Sequence, residues 1–256
     1  MKIKSIKAQA ELDSRGECTI SVNLKLQNGL EAVASVPQGK SRGSNEAVYV
    51  KPQTAIKNIS KIIEPGLKGI HVGNQNHLDW ILNKLDGTEN KSRLGANATL
   101  GVSVAAAKAA ALSRGLPLWK YIAHLLNYKR SRDEFPRLFI NVINGGLHTE
   151  NNLDFQEYLI IPKSKNIAEA IKIGLEFYKK LGEYLAKHFG RGQTGLGDEG
   201  GFAPNLKNNI EPFQIMAHVA KTNHLQNKIQ FGLDAAASNI KKPPSKLWAL
   251  YKIMIQ

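Results

Sequence analysis

Four side chains capable of acid–base or metal chemistry stand at an end of an apolar run or among glycines: His148, Glu157, Glu199 and Asp234. His148 follows Gly-Gly, which lets the backbone bend sharply. Glu199 lies in the segment GLGDEGG (195–201), whose small residues let a substrate approach a carboxylate closely. Carboxyl and imidazole groups gathered at one place move protons in many enzymes. Carboxylate oxygens also suit Mg²⁺, whereas the lack of cysteine ligands argues against a soft metal.

Each of these residues also has a purely structural interpretation. The histidine could be an ordinary turn residue, Glu157 an edge carboxylate, and Asp198 with Glu199 a solvated acidic turn. Asp234 could cap a helix as readily as it binds a metal. All of them, however, fall at loop or strand-end positions of one predicted layer, and this common position favours a single site.

The first half of the chain predicts a small sheet followed by helices. Residues 19–36 alternate apolar and polar side chains on both sides of Asn28-Gly29, which is a strong hairpin signal because both turn positions need positive φ. Residues 3–12 add a third strand to this meander. Residues 97–114 are small and apolar on nearly every face, as a buried helix is. The pattern predicts an α+β domain.

The second half has the pattern of buried strands separated by helices. The runs 138–144, 157–162 and 228–234 are short and apolar, and an amphipathic helix is predicted over 167–189, with Asn166 and Glu169 spaced as a capping box. This alternation predicts an α/β layer or barrel. The polar segment 127–136 places the domain boundary there. We therefore predict domains over 1–127 and 136–238, and a divergent basic tail over 239–256.

Composition narrows the classes of function. The 256 residues carry 35 Lys and Arg against 21 Asp and Glu, a net charge of +14. The basic residues are scattered and have no interleaved aromatic ladder, which argues against a nucleic-acid site. The sequence contains no run of eighteen apolar residues, so it predicts no membrane span. Apolar and polar residues alternate at the N-terminus, which argues against a signal peptide. The single cysteine, Cys18, is typical of a reducing cytoplasm.

Seven segments, in order, resemble the enolase family, and together they cover roughly residues 1–238. They are LDSRG (12–16), PQGKSRG (37–43), LDGTENKSRLGANATLGVS (85–103), NVINGGLH (141–148), QEYLIIP (156–162), GDEGGFAPN (197–205) and GLDAAAS (232–238). The resemblance implies an α+β N-terminal cap domain followed by a partial α/β, TIM-like enolase barrel. It also implies a cytoplasmic homo-oligomer.

The same resemblance implies the function and the role of each residue. The reaction is the Mg²⁺-dependent dehydration of 2-phosphoglycerate to phosphoenolpyruvate in glycolysis, catalysed by a phosphopyruvate hydratase, a carbon–oxygen lyase. Glu199 matches the general acid and Glu157 its catalytic partner. Asp234 matches a magnesium ligand, and Ser41 matches a loop serine that reaches both magnesium and substrate. The remaining expected substrate contacts are His148, Gln156 and Gly39.

The chain departs from the family pattern in the loop 37–43, at Glu17-Cys18 and at its end. Gln38, Lys40 and Arg42 stand where the family usually has small or hydroxylic residues. After Ser238 the sequence resembles no barrel segment, and two further acidic magnesium ligands, the proton-abstracting lysine and a substrate-binding His and Lys are not found. The expectation is a C-terminally truncated enolase with impaired or absent activity.

Two other classes of function stay open. A non-catalytic binding or scaffold protein derived from enolase would retain the fold without the chemistry. A nucleic-acid-binding module would use the basic surface and would bind with a steep salt dependence. The presence of Glu157, Glu199, Asp234 and Ser41 in loops and at strand ends favours the lyase, because a scaffold needs none of these groups.

Overall fold

The structure, a computed structural model, describes residues 1–39, 43–128 and 135–240. The chain divides into two compact units, residues 1–131 and 132–256. Each unit has its own hydrophobic core. Within the described residues, no helix combines the length and the apolar character that crossing a membrane requires. The predicted tail, 239–256, lies outside the described residues except for its first two, and the predicted domain boundaries stay predictions.

The first unit contains an antiparallel sheet of three strands, β1 (Ile3–Leu12), β2 (Cys18–Leu26) and β3 (Glu31–Ser35), in the order β1-β2-β3. The predicted meander is confirmed, but its β2–β3 turn is of another type. Only Gly29 has a positive φ, at 91°, and the Asn28 side chain instead accepts a hydrogen bond from the Leu30 N–H at 3.3 Å. The loop therefore has three residues between the paired Leu26 and Leu30, which a single left-handed glycine suffices to close.

Helices cover one face of this sheet. They are α1 (Pro52–Asn58), continued by a π-helical turn (Ile59–Ile63), α2 (Glu64–Leu67), α3 (Gln75–Asp86), α4 (Ala96–Ser113) and α5 (Leu118–Leu125). The small residues of α4 let it lie close to the sheet, and a Cβ at Gly101 would come within 2.8 Å of a Val22 methyl carbon. Helix α4 ends before Gly115, which has a φ of 64°, and Pro117, as the sequence predicts.

The second unit contains β4 (Ile140–Asn144), β5 (Glu157–Pro162) and β6 (Ile229–Asp234), in the order β4-β5-β6. Both neighbouring pairs are antiparallel, although the long helices α6 (Ile167–Phe189) and α7 (Glu211–Thr222) intervene between β5 and β6. Strand β6 lies at the edge of the described sheet with mostly exposed or half-buried residues, so the expectation that the run 228–234 forms a buried strand is wrong.

Helix α6 begins at a cap that differs in one detail from the predicted capping box. The Asn166 side chain accepts a hydrogen bond from the Glu169 N–H at 3.1 Å, as predicted. The Glu169 carboxylate accepts from the Ser164 hydroxyl at 2.6 Å and does not return to the backbone of the cap residue. The helix then packs fully buried side chains, Phe177, Leu181 and Leu185, into the core of the second unit. Each such side chain contributes about 1.5–3 kcal/mol.

Candidate active site

The three strands of the second unit bring polar residues to one edge of their sheet, which is formed by the end of β4, the start of β5 and the end of β6. Asn144, at the end of β4, pairs with Glu157 at the start of β5, and Glu157 pairs in turn with Asp234 at the end of β6. The Gln156 N–H donates to the Asp234 carbonyl at 3.2 Å, and the Gly145 N–H donates to the Gln156 carbonyl at 2.9 Å. Antiparallel pairing therefore holds these residues in a fixed row.

The Gly145-Gly146 pair turns the chain so that His148 returns towards this edge. Gly146 has a φ of 55°, and a Cβ at Gly145 would lie 2.6 Å from the Leu153 Cβ, so neither position accepts a larger residue without a shift. A short 3₁₀ turn, Gly146–His148, follows. The His148 side chain is 2% exposed, and its carbonyl accepts a hydrogen bond from the Asp198 N–H at 3.2 Å.

The glycine-rich loop 197–201 carries Glu199. The loop is closed by a hydrogen bond from the Gly197 N–H to the Gly201 carbonyl at 2.8 Å. It continues into Phe202, whose N–H and carbonyl both bond to the backbone of β4. The loop also lies directly on Asn144, since a Cβ at Gly197 would come within 2.7 Å of the Asn144 Cβ. This close approach explains why the segment is rich in glycine.

His148, Glu157 and Glu199 form a compact cluster, each offering one atom such that all three atoms lie within 4.8 Å of one another. The His148 Nε2 lies 3.6 Å from the Glu199 Oε1. Burial raises the pKa of Glu157 to about 7, and the hydrogen bond with Glu199 and the negative charges of Glu199 and Asp234 act in the same direction. A group that titrates near neutral pH can give or take a proton there, so the cluster is suited to acid–base chemistry.

The structure brings five of the seven predicted site residues to this edge: His148, Gln156, Glu157, Glu199 and Asp234. Gly39 belongs to the first unit and is exposed there. Ser41 lies outside the described residues. The catalytic, substrate-binding and metal-binding roles of all seven stay predictions.

Two further polar residues, Asn141 and Asn144, belong to the site and were not among the sequence-based candidates. The Asn141 Nδ2 donates to the Glu199 Oε2 at 3.4 Å. Asn144 is fully buried, and neither of its side-chain polar atoms has a hydrogen-bond partner among the described residues. Both asparagines interrupt the apolar run 138–144, and a polar residue within a buried strand is the signal that identifies them.

The ligand chemistry of this edge fits a hard divalent cation. Glu157, Glu199 and Asp234 supply carboxylate oxygens, which Mg²⁺ prefers. Burial is the main cause of the raised pKa of Glu157, and the negative charges of Glu199 and Asp234 add to it; a cation would relieve that repulsion. Asp234 is exposed, and its Oδ1 accepts from the Ala236 N–H at 2.9 Å, which orients the carboxylate. That Asp234 binds magnesium stays a prediction.

The two units define a class of protein in which a small α+β domain precedes a mixed α/β domain with ionisable side chains at its strand ends. Comparison with protein families assigns the two parts. The model of the enolase N-terminal domain matches residues 3–122, and the model of the enolase C-terminal TIM barrel domain matches residues 133–252. The chain belongs to the enolase family, and the predicted fold of a cap domain with a partial barrel is confirmed.

Individual relatives agree with this assignment. The chain is 40% identical to an enolase of Methanopyrus kandleri over 263 residues, which cover 98% of the chain and 60% of the relative. It is 40% identical to enolase B of Dictyostelium discoideum, covering 95% of the chain and 57% of the relative. It is 42% identical to an enolase of Anaplasma phagocytophilum, covering 93% and 57% respectively. The chain thus spans about 60% of the length of these relatives.

Proposed function

We propose that the edge formed by β4, β5 and β6 serves a magnesium-dependent lyase reaction, the dehydration of 2-phosphoglycerate to phosphoenolpyruvate. The observation that carries this proposal is the cluster of His148, Glu157 and Glu199, in which Glu157 titrates near pH 7. Eliminating water requires an acid beside the departing hydroxyl group, and a carboxyl group that remains partly protonated at neutral pH supplies it.

In this proposal each described residue has a distinct task. Glu199, on its small-residue loop, protonates the departing hydroxyl group so that it leaves as water. Glu157 shares the proton with Glu199 and can replenish it. His148 and Gln156 are buried, and the His148 ring nitrogens and the Gln156 Oε1 have no hydrogen-bond partner among the described residues. A bound substrate would satisfy these atoms, and a catalytic role is one of the explanations for buried polar groups that lack a partner.

Magnesium would stabilise the negative charge that develops on the substrate carboxylate during removal of the neighbouring proton. Asp234 would hold it, and Ser41 is proposed as a further ligand. After Asp234 the printed sequence contains four lysines, Lys241, Lys242, Lys246 and Lys252, and no acidic residue. A polypeptide of these 256 residues is therefore proposed to turn over slowly or not at all by itself. A cytoplasmic glycolytic setting and a homo-oligomer belong to the same proposal.

The experiment separates binding from turnover. The 256-residue protein is titrated with 2-phosphoglycerate and Mg²⁺ while its thermal midpoint is followed, and phosphoenolpyruvate is measured by absorbance. We expect 2-phosphoglycerate to raise the midpoint, Gln156→Leu to reduce the effect, and any turnover to disappear in Glu199→Gln. A midpoint that does not respond to millimolar 2-phosphoglycerate would contradict the proposal and favour a non-catalytic binding protein.

A further inference from the structure

A cleft of about 390 Å³ lies in the first unit, between α3, α4 and a chain segment that precedes α1. Asp79 and Leu82 are three residues apart on α3, so both line the cleft from one helix face. On α4, Ser103 follows Thr99 and Leu100 by four and three residues, which places these side chains on one face as well. A cleft of this volume is in the range of sites that bind small organic molecules, about 300–1,000 Å³.

The polar part of the cleft is built around the Asp79 carboxylate. Its Oδ1 accepts hydrogen bonds from the Ser103 hydroxyl at 2.7 Å and from the Gln75 Nε2 at 3.1 Å, which together fix its orientation. Both donors are neutral, and no Lys, Arg or His forms an ion pair with Asp79 in the part of the chain that the structure describes. Asp79 is half-buried, so its charge is partly removed from water without a cation beside it.

Gln75 adds a second acceptor to this polar part. The residue is 8% exposed, and its Nε2 donates to Asp79 and to the Ser103 hydroxyl, the latter at 3.0 Å. Its Oε1 has no hydrogen-bond partner among the described residues. Exchanging the two amide atoms would place the oxygen against the Asp79 carboxylate, so the hydrogen bonds themselves fix which atom is the acceptor. This part of the cleft therefore has more acceptors than donors.

The remaining lining combines negative charge with apolar surface. Glu46 supplies a second carboxylate, and Lys91 is the one cationic residue among the described lining residues. The whole chain carries a net charge of +14, so a lining in which acids outnumber bases differs from the rest of the molecule. Leu82 and Leu100 also line the cleft, and Leu100 is 47% exposed. A matching ligand therefore needs both a positive charge and an apolar body.

We infer that this cleft binds a small organic cation, an ammonium or guanidinium group carried on a short apolar body. The cationic group donates to the Asp79 carboxylate, and the apolar body packs on Leu82 and Leu100. An anionic ligand of the same size is disfavoured, because it would face both Asp79 and Glu46. The inference does not rest on the proposed function, since every residue it uses belongs to the first unit.

The test follows the amide NMR signals of the 256-residue protein at pH 7 during titration with hexylammonium. We expect saturable shifts at millimolar concentration in α3 and in residues 99–103. Hexanol has the same apolar body without the charge and should bind at least fivefold more weakly, and hexanoate should give no saturable shift.

Two variants separate the Asp79 carboxylate from charge in general. Asp79→Asn retains an oxygen that accepts from Ser103 but removes the charge, so it should weaken hexylammonium binding at least fivefold and leave hexanol binding unchanged. Glu11→Gln removes the same charge at an exposed position of the same unit that does not line the cleft, and it should change neither. Circular dichroism checks that both variants are folded.

Equal affinities for hexylammonium and hexanol would overturn the inference, as would an unchanged affinity for hexylammonium in Asp79→Asn. Equal losses in Asp79→Asn and Glu11→Gln would also overturn it, because general attraction to the protein surface would then account for the binding. If Asp79→Asn does not fold, the comparison of the three ligands on the unmodified protein decides the question.

Discussion

Glu157 lies directly opposite Asp234 in the antiparallel pair of β5 and β6, so two carboxylates face one another at the end of the sheet. The charge of Asp234 is one of the causes that raise the pKa of Glu157 to about 7, after burial and the contacts with Glu199. The fold therefore places acidic groups together where they repel one another, as sites that move protons or bind cations commonly do.

The raised pKa of Glu157 predicts how stability depends on pH. Because the folded protein retains this proton up to about pH 7 while the unfolded chain loses it near its ordinary pKa of 4.5, the free energy of unfolding should fall as pH rises between these values. After allowance for solvent screening we expect a decrease of about 1–2 kcal/mol. Glu157→Gln should remove this part of the slope in urea titrations at pH 4.5 to 7.5. An unchanged slope would show that Glu157 is not its source.

The contact between the loop 197–201 and Asn144 predicts that Gly197 tolerates no side chain. Gly197→Ala would place a Cβ within 2.7 Å of the Asn144 Cβ and should lower the free energy of unfolding by about 1–3 kcal/mol. Gly192→Ala is the matched control, since nothing lies within 4 Å of its Cβ and its φ is not in the left-handed region. Denaturant titration should find the control within about 0.5 kcal/mol of the unmodified protein. Equal effects would exclude the contact as the cause.

In the first unit, Asp86 is predicted to hold the loop that joins α3 to α4. Burial raises the pKa of Asp86, but hydrogen bonds from Thr88 and from the Leu94 N–H at 2.7 Å outweigh it, so the pKa is lower than usual. Its stabilising effect should be present above the unfolded value of 3.8 and lost as pH falls through the folded pKa. Asp86→Ala should cost about 2–4 kcal/mol in chemical denaturation.

A neighbouring acidic residue provides the comparison for Asp86. Glu89 is exposed in the same loop, so Glu89→Ala changes the net charge equally without removing a buried hydrogen-bond acceptor. We expect its effect to be within about 0.5 kcal/mol. Similar losses in the two variants would mean that charge, and not the buried hydrogen bonds, accounts for the effect.

Asn141 is predicted to moderate the crowding of negative charge. Asn141→Asp would replace a donor to Glu199 with another carboxylate. The added negative charge should raise the pKa of Glu157 further, so the pH range over which the free energy of unfolding falls should move upward. Asn205→Asp adds the same charge at an exposed position of the same unit and should leave that range unchanged. Urea titrations across pH measure both, and a coincident response would contradict a local role for Asn141.

Sequence patterns predicted the elements well because they depend on local periodicity. The alternation in residues 19–36 identified β2 and β3, and the apolar stripe of 167–189 identified α6 with bounds that the structure reproduces. The turn at Asn28-Gly29 was predicted with the wrong type, since the choice among hairpin turns depends on how many residues the flanking strands leave unpaired.

The pairing and register of the strands could not be predicted in the same way. Nothing local to β5 and β6 shows that they run antiparallel, because two helices separate them and the sequence does not state a pairing register. The opposition of Glu157 and Asp234 follows from that register alone. The role of Asn144 could not be predicted for a related reason, because it depends on contacts with glycines more than fifty residues away.

The pairing of β5 with β6 has a consequence for the fidelity of folding. Side chains of a strand alternate between faces, so slipping β5 by one residue would present Tyr158 opposite Asp234 and turn Glu157 to the other side of the sheet. Such a molecule would also expose the aromatic ring that fills the core. A misaligned copy would thus separate the two carboxylates and expose an apolar surface at once, and exposed apolar surface is the feature that chaperones act on.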